Sequence, residues 1–231
     1  MENKIIFDLD GLLLDTEVYY SICWKEACKS LGYDLTYEQG LNLRSLDSKL
    51  AEEYFRALFG EECPYEDIRS LRKELMKNMI AERGINKKKG CDELLDYLRH
   101  NNIDFLLATS SSIQRAQRLL KMAGLENQFQ TIVSTSMVKH GKPYPDVYLE
   151  ACMKVDENPE NCIAIEDSPN GVKSAYTAGC KVIMVPDLTE PEPHISHMLF
   201  SKAESLIEVI NILGNHTGLQ SDGTIKGGKN V

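Results

Sequence analysis

The sequence predicts an α/β protein in which a parallel β-sheet carries helices on both faces and an all-helical segment is inserted after the first strand. Two observations lead to this prediction. After residue 90, short and nearly continuous apolar runs alternate with helical patterns, which is typical of a parallel sheet covered on both faces. Between residues 16 and 84, by contrast, apolar residues recur only at helical spacing.

The individual elements follow from local patterns in chain order. The apolar run Lys4-Ile5-Ile6-Phe7 predicts the first strand, at residues 4–10. In the inserted segment, Ile22, Ala27 and Leu31 recur at helical spacing, and Gly84 ends the last helix. The helices predicted in this segment cover residues 18–31, 47–59 and 65–83. For the rest of the chain we predict helices at 92–99, 113–123, 145–154, 169–178 and 204–213, and strands at 103–108, 131–134, 162–165 and 181–185.

These elements divide the chain into a Rossmann-like core, residues 1–15 and 85–213, and a helical cap, residues 16–84. Residues 214–231 contain five glycines and almost no large apolar side chain, so we predict a flexible C-terminal tail. Ligands of open parallel sheets bind outside the carboxyl ends of the strands. We therefore expect the cap to cover a binding site at that edge of the sheet.

Composition narrows the class of function. The 231 residues are 42% hydrophobic and 26% charged, as in ordinary globular proteins, and no apolar run approaches the ~20 residues of a membrane span. The net charge of −9 argues against nucleic-acid and anionic-membrane partners. No secretory leader is visible and the seven cysteines form no Cys-x-x-Cys pair, so we expect a cytoplasmic protein with reduced thiols. We also expect a monomer.

The end of the first strand carries the most informative pattern. Asp8 and Asp10 are two residues apart, so both side chains point to the same side of the strand. Two such carboxylates repel each other unless a cation or a shared proton compensates, which indicates a metal site or an acid and nucleophile pair. Gly11 allows a tight turn directly afterwards. The alternative for so short a pattern is a surface turn capped by aspartates.

Polar residues also stand at the predicted carboxyl ends of the later strands. A hydroxyl cluster before a helix offers donors to an anion, and a lysine in a loop stiffened by two prolines suits a phosphate group. An acidic pair opposite the first strand would suit Mg²⁺. Taken singly, the cluster reads as a helix cap and the lysine as a solvated turn residue. The residues are Thr109, Ser110 and Ser111 in the cluster, Lys142 in the loop, and Glu166 and Asp167 in the pair.

Taken together, four segments carry a resemblance to a known family. They are Asp8-Leu-Asp10-Gly-Leu-Leu-Leu-Asp15-Thr16-Glu17, Thr109, Lys142-Pro-Tyr-Pro-Asp146 and Glu166-Asp167-Ser-Pro-Asn-Gly171. Their order and spacing resemble the motifs of the haloacid dehalogenase-like phosphohydrolases. The similarity is to the branch with a helical cap after the first strand, which includes β-phosphoglucomutases and many sugar-phosphate phosphatases, and it spans about residues 4–213.

The resemblance implies a role for each motif. Asp8 would attack phosphorus and form an aspartyl-phosphate, and Asp10 would exchange protons with the leaving group and with water. Thr109 and Lys142 would hold the phosphoryl oxygens, with Ser110 and Ser111 beside them. The implied cofactor is Mg²⁺, and the implied partner is a small phosphorylated metabolite. The expected metal ligands are Asp8, the Asp10 carbonyl, Asp167 and the nearby Glu166.

Phosphatase and mutase activity remain as alternatives, with a non-catalytic phosphate-binding protein as a third. In β-phosphoglucomutases the position of Tyr20 is a histidine and that of Ser112 is a lysine that grips a second phosphate. Tyrosine does not titrate near neutrality and serine carries no charge, so we favour hydrolysis. Arg44 in the cap is the remaining candidate for binding a second phosphate.

Overall fold

The computed structural model describes residues 4–217, and this part of the chain contains one six-stranded sheet. The strands are β1 (Lys4–Phe7), β2 (Phe105–Thr109), β3 (Ile132–Ser134), β4 (Cys162–Glu166), β5 (Lys181–Met184) and β6 (Ser201–Lys202). All neighbours pair in parallel, in the order β3-β2-β1-β4-β5-β6. β1 therefore lies inside the sheet between β2 and β4, and the predicted α/β class is confirmed.

The described part of the chain also contains ten α-helices. Between β1 and β2 lie α1 (Glu17–Ser30), α2 (Tyr37–Leu41), α3 (Ser48–Phe59), α4 (Tyr65–Arg83) and α5 (Cys91–His100). After β2 follow α6 (Ile113–Met122), α7 (Asp146–Lys154), α8 (Pro169–Ala178), α9 (Pro193–Ser196) and α10 (Leu206–Thr217). The predicted elements are present with small shifts at their ends, whereas α2, α9 and β6 were not predicted. These three elements have five residues or fewer, too few for a periodic pattern to identify.

Two apolar clusters cover the sheet. Successive side chains of a strand point to opposite faces of the sheet. On β1, Ile5 and Phe7 therefore pack with α5 and α10 on one face, and Ile6 packs with α7 and α8 on the other. A third cluster joins the helices of the predicted cap, where Trp24 packs against Phe55 and Tyr65. The segment that we assigned to the cap thus has an apolar centre of its own.

The C-terminal prediction needs a correction. Residues 214–217 continue α10 instead of beginning a tail, since the helix ends at Thr217. The rest of the predicted tail, residues 218–231, lies outside the described residues. Within residues 4–217, no helix combines the length and the apolar character needed to cross a bilayer.

Candidate active site

The carboxyl ends of β1, β2 and β4 meet beneath the cap and place the predicted polar residues together. A cavity of about 320 Å³ at this edge is lined by Asp8, Asp10 and Arg44, and by the hydroxyl cluster after β2. Parallel pairing explains the convergence, because neighbouring strands that run in the same direction end at the same edge. Lys142, Glu166 and Asp167 lie behind this cavity and are buried.

Two glycines permit the close approach of the acidic residues. Gly11 has φ +83°, and a Cβ there would lie 2.5 Å from a carboxylate oxygen of Asp167. At Gly171 a Cβ would lie 2.0 Å from the carboxylate of Glu166. Any larger residue at either position would push the β1 turn or α8 away from the β4 carboxylates.

Lys142 is fully buried and uses all three of its N–H donors inside the protein. Its Nζ lies 2.6 Å from Asp8 Oδ1, 2.6 Å from Glu166 Oε1 and 3.1 Å from the carbonyl of Ala108. The hydroxyl of Tyr148 also donates to Glu166 Oε1, at 2.6 Å. The ammonium therefore pairs two carboxylates, and a phosphoryl oxygen could bind to it only in exchange for one of these acceptors.

Three carboxylates form a compact acidic cluster behind the cavity. Oxygens of Asp8, Glu166 and Asp167 all lie within 4.8 Å of one another. Burial, together with neighbouring carboxylates, raises the pKa of Asp8 to about 7 and that of Asp167 well above its usual value. Asp8 Oδ2 and both oxygens of Asp167 are buried without a hydrogen-bond partner among the described residues. Unpartnered carboxylate oxygens are the donor set of a hard divalent cation, so the cluster fits the expected Mg²⁺.

Asp10 is held apart from this cluster by a cation that the sequence analysis did not identify. Arg115 donates to both of its oxygens, at 2.8 and 3.0 Å. Thr16 and Ser111 each donate a further hydrogen bond, at 2.7 Å. Burial alone would raise the pKa of Asp10, but Arg115 and these hydrogen bonds outweigh burial and lower it below its usual value. The arrangement therefore stabilises Asp10 as a carboxylate.

The sequence contains one signal for Arg115. Arg115 is the third residue of α6, whose N-cap is Ser112, so its positive charge lies at the positive end of the helix dipole. A cation in the first turn of a helix is unfavourable unless an anion pairs with it. Thr16 and Glu17 stand in the first motif but were given no role in the chemistry, although Thr16 donates to Asp10 and Glu17 is buried beside it. Burial, together with the charge of Asp10, raises the pKa of Glu17 to about 8.

The predicted phosphate-binding hydroxyls have distinct contacts. Thr109 is fully buried, and its Oγ1 accepts from the backbone N–H of Ser111 at 3.0 Å. Ser111 donates to Asp10, and Ser110 donates to the cap carbonyl of Ser45 at 3.0 Å. All three line the cavity. The cluster thus lines the cavity at the end of β2 and joins it to the cap.

Arg44 extends from the cap toward the acidic cluster. Its guanidinium lies 3.9 Å from Asp167 and donates to Thr189. Asp47 in the cap adds two contacts with the core, since its side chain accepts from Gly141 N at 3.0 Å and its backbone N–H donates to the carbonyl of Lys142 at 2.8 Å. These contacts close the cap over the strand ends.

Comparison with known proteins agrees with this geometry. The sequence model of the haloacid dehalogenase-like hydrolase family matches residues 5–185. A probable pseudouridine-5'-phosphatase of Drosophila melanogaster is 33% identical over 227 residues, covering 88% of this chain and 94% of the relative. Beta-phosphoglucomutase of Bacillus subtilis is 31% identical over 187 residues, covering 77% of this chain and 80% of the relative. The crystal structure of CbbY from Rhodobacter sphaeroides in complex with phosphate matches with a TM-score of 0.74 at 26% identity, covering 90% of this chain and 96% of that chain. These matches confirm the resemblance seen in the motifs, and the chain belongs to the haloacid dehalogenase-like hydrolase family.

Proposed function

We propose that this protein is a Mg²⁺-dependent phosphatase that hydrolyses a small phosphomonoester, a sugar phosphate or related metabolite, through an aspartyl-phosphate on Asp8. The observation that carries the proposal is the difference in contacts between the two carboxylate oxygens of Asp8. One carboxylate oxygen is bonded to Lys142, while the other is buried without a partner beside a cavity lined by hydroxyls. This arrangement suits a positioned nucleophile.

The reaction divides into two displacements at phosphorus. A carboxylate oxygen of Asp8 forms a bond to phosphorus as the bond to the ester oxygen breaks, and the departing alcohol takes a proton. Water then attacks the aspartyl-phosphate, giving inorganic phosphate and free Asp8. The hydrogen bond from Lys142 to Asp8 favours its carboxylate form and orients it for the attack on phosphorus, and the hydrogen bond from Lys142 to Glu166 holds the ammonium in place.

Asp10 supplies and accepts the protons in this scheme. Held by Arg115 as a carboxylate, it is ready to take the proton of the attacking water in the second step. The proton that Asp10 takes from this water is the one it gives to the leaving group of the next turnover, and the Arg115 contacts favour its release. We therefore assign Arg115 as the positioning residue that favours the base form of Asp10.

Mg²⁺ would be held by Asp8, the Asp10 carbonyl and Asp167, with Glu166 nearby. When bound, it offsets the negative charge of the carboxylates and of the phosphoryl group. The unpartnered oxygens of Asp8 and Asp167 are the structural support for this assignment. An acidic protein of net charge −9 thereby accepts an anionic substrate.

A β-phosphoglucomutase-type mutase is the second candidate, favoured by the relative in Bacillus subtilis. Tyr20 argues against it, because burial raises its pKa above the usual value, so it stays neutral where a histidine would titrate. Conversion of β-glucose 1-phosphate into glucose 6-phosphate with a bisphosphate primer, without matching free phosphate, would overturn our preference. A non-catalytic binding protein would bind phosphate without any turnover.

Metal removal is the first test of the proposal. We expect phosphate release from a panel of small phosphomonoesters in Mg²⁺, and a loss of at least about a hundredfold in EDTA that returns when Mg²⁺ is restored. A colorimetric phosphate assay measures both arms. The panel includes sugar phosphates and nucleotides. If no member of the panel releases phosphate in Mg²⁺, the phosphatase assignment is contradicted.

Replacing Arg115 tests its role in positioning Asp10. We expect Arg115→Met to lower kcat about 10- to 100-fold with little change in KM, because proton transfer slows while the phosphoryl-binding groups are kept. Arg115→Lys keeps the charge but loses the bidentate contact and should restore part of kcat. Steady-state kinetics on one substrate supplies both constants. A rise in KM alone, or no rescue by lysine, would exclude a positioning role.

A further inference from the structure

A second cavity opens between the cap and the core and has a strongly basic lining. It measures about 490 Å³ and lies between α4 and α6. Among the thirteen described residues that line it, six are lysine or arginine and none is acidic, in a chain whose net charge is −9. The cationic side chains are Arg69, Arg72, Lys73 and Lys77 on α4, and Arg115 and Arg118 on α6.

Most of this charge is not neutralised inside the protein. In the described part of the chain, no salt bridge joins Lys73, Lys77 or Arg118 to a carboxylate, whereas Arg69 pairs with Glu66 at 3.2 Å and Arg115 pairs with Asp10 at 2.8 Å. Burial and the charges of Arg69 and Arg72 lower the pKa of Lys73. Cations concentrated in this way attract an anionic ligand.

Arg72 points to a ligand independently of the charge count. Arg72 is 8% exposed and lines both cavities. Its Nε has no hydrogen-bond partner among the described residues. Its guanidinium carbon lies 4.8 Å from the centre of the Tyr20 ring and 4.7 Å from that of Trp24. The aromatic rings hold the guanidinium in place but accept no N–H in the way an anion would.

The basic cavity is continuous with the candidate active site. Tyr20, Arg69, Arg72 and the three serines 110–112 line both cavities. Arg115 lies beside the same tyrosine, since its guanidinium carbon is 5.0 Å from the centre of the Tyr20 ring while its N–H groups bind Asp10. A ligand whose phosphate lies at Asp8 can therefore extend past Tyr20 into the basic cavity.

From this continuity we infer that the cavity between α4 and α6 binds a second anionic group of the substrate, so that the preferred substrates are bisphosphates or phosphates that also carry a carboxylate. The inference rests on the proposed phosphatase function and specifies its substrate class. Lys73 and Arg118 are the side chains of choice for a test, because neither contacts Asp8 or Asp10.

The test compares hexose 6-phosphate with hexose 1,6-bisphosphate as substrates of the Mg²⁺-loaded enzyme. We expect kcat/KM to be higher for the bisphosphate, and the double variant Lys73→Gln/Arg118→Gln to lower the ratio of the two kcat/KM values about tenfold, mainly through KM of the bisphosphate. Lys121→Gln removes a charge from the same helix outside both cavities and should leave the ratio unchanged. Equal losses on both substrates, or an unchanged ratio in the double variant, would overturn the inference while leaving the phosphatase assignment intact. If neither substrate nor any other monoester releases phosphate, it is the proposed function that fails.

Discussion

Asp8→Asn is expected to abolish phosphoenzyme formation and to lower phosphate release by at least about ten-thousand-fold, because an amide is not a nucleophile toward phosphorus. The amide also weakens the contact with Lys142, which holds Asp8 in place at 2.6 Å. Acid quenching after mixing with substrate, followed by mass spectrometry, measures the covalent phosphoryl group directly.

Asp10→Asn provides the contrast that separates the two aspartates. It should slow both displacements by impairing proton transfer, while Mg²⁺ binding through its backbone carbonyl persists. Asp15→Asn, a short distance along the same loop but paired only with Lys88 at 3.6 Å, is the matched control and should behave as the wild type. A phosphoenzyme in Asp8→Asn, or equal losses of Mg²⁺ affinity in Asp8→Asn and Asp10→Asn, would contradict the division of roles.

Lys142→Met is expected to remove activity and also to lower the free energy of unfolding by about 3–5 kcal/mol in the absence of metal. The lysine is 0% exposed and lies between Asp8 and Glu166, so its loss leaves buried carboxylates together without a cation. Part of this loss should be relieved by protonation of Asp8, whose pKa is already raised to about 7 by burial and by neighbouring carboxylates.

Urea denaturation in EDTA measures this effect, and repetition in Mg²⁺ shows how far a divalent cation replaces the missing ammonium. We expect Mg²⁺ to stabilise the variant more than the wild type. Lys139→Met, an exposed position in the same loop, is the matched control and should change stability by less than about 0.5 kcal/mol. A Lys142→Met protein as stable as the control would show that the lysine is not needed to balance the acidic cluster.

The strand ends could be predicted from the sequence because the signals are local. An apolar run followed by Asp8, Asp10 and Gly11 identifies both a strand and its polar end, and the same holds for Glu166 and Asp167 after β4. Parallel pairing then brings those ends to one edge. The short elements β6, α2 and α9 carried no comparable pattern, since a period needs more residues than they contain.

The position of Arg115 in the first turn of α6 indicates that an anion pairs with it, but the sequence does not identify Asp10, 105 positions away, as that anion. Likewise, the cations of α4 and α6 are far apart along the chain, and their helical spacing predicts only that each lies on a solvated face. The packing of the cap against the core decides that these two faces meet over one cavity.

The sequence by itself determined the α/β class, the family and the chemical types at the phosphoryl end of the site, since each of these is written in short segments. Only the tertiary structure decided how the charges are paired. It placed Lys142 between Asp8 and Glu166 and held Asp10 with Arg115. It also left the basic cavity between α4 and α6 without a carboxylate among the described residues that line it. The physical reason is that an ion pair or hydrogen bond forms only when its atoms lie within about 4 Å of each other, so these pairings depend on how residues far apart in the chain are brought together.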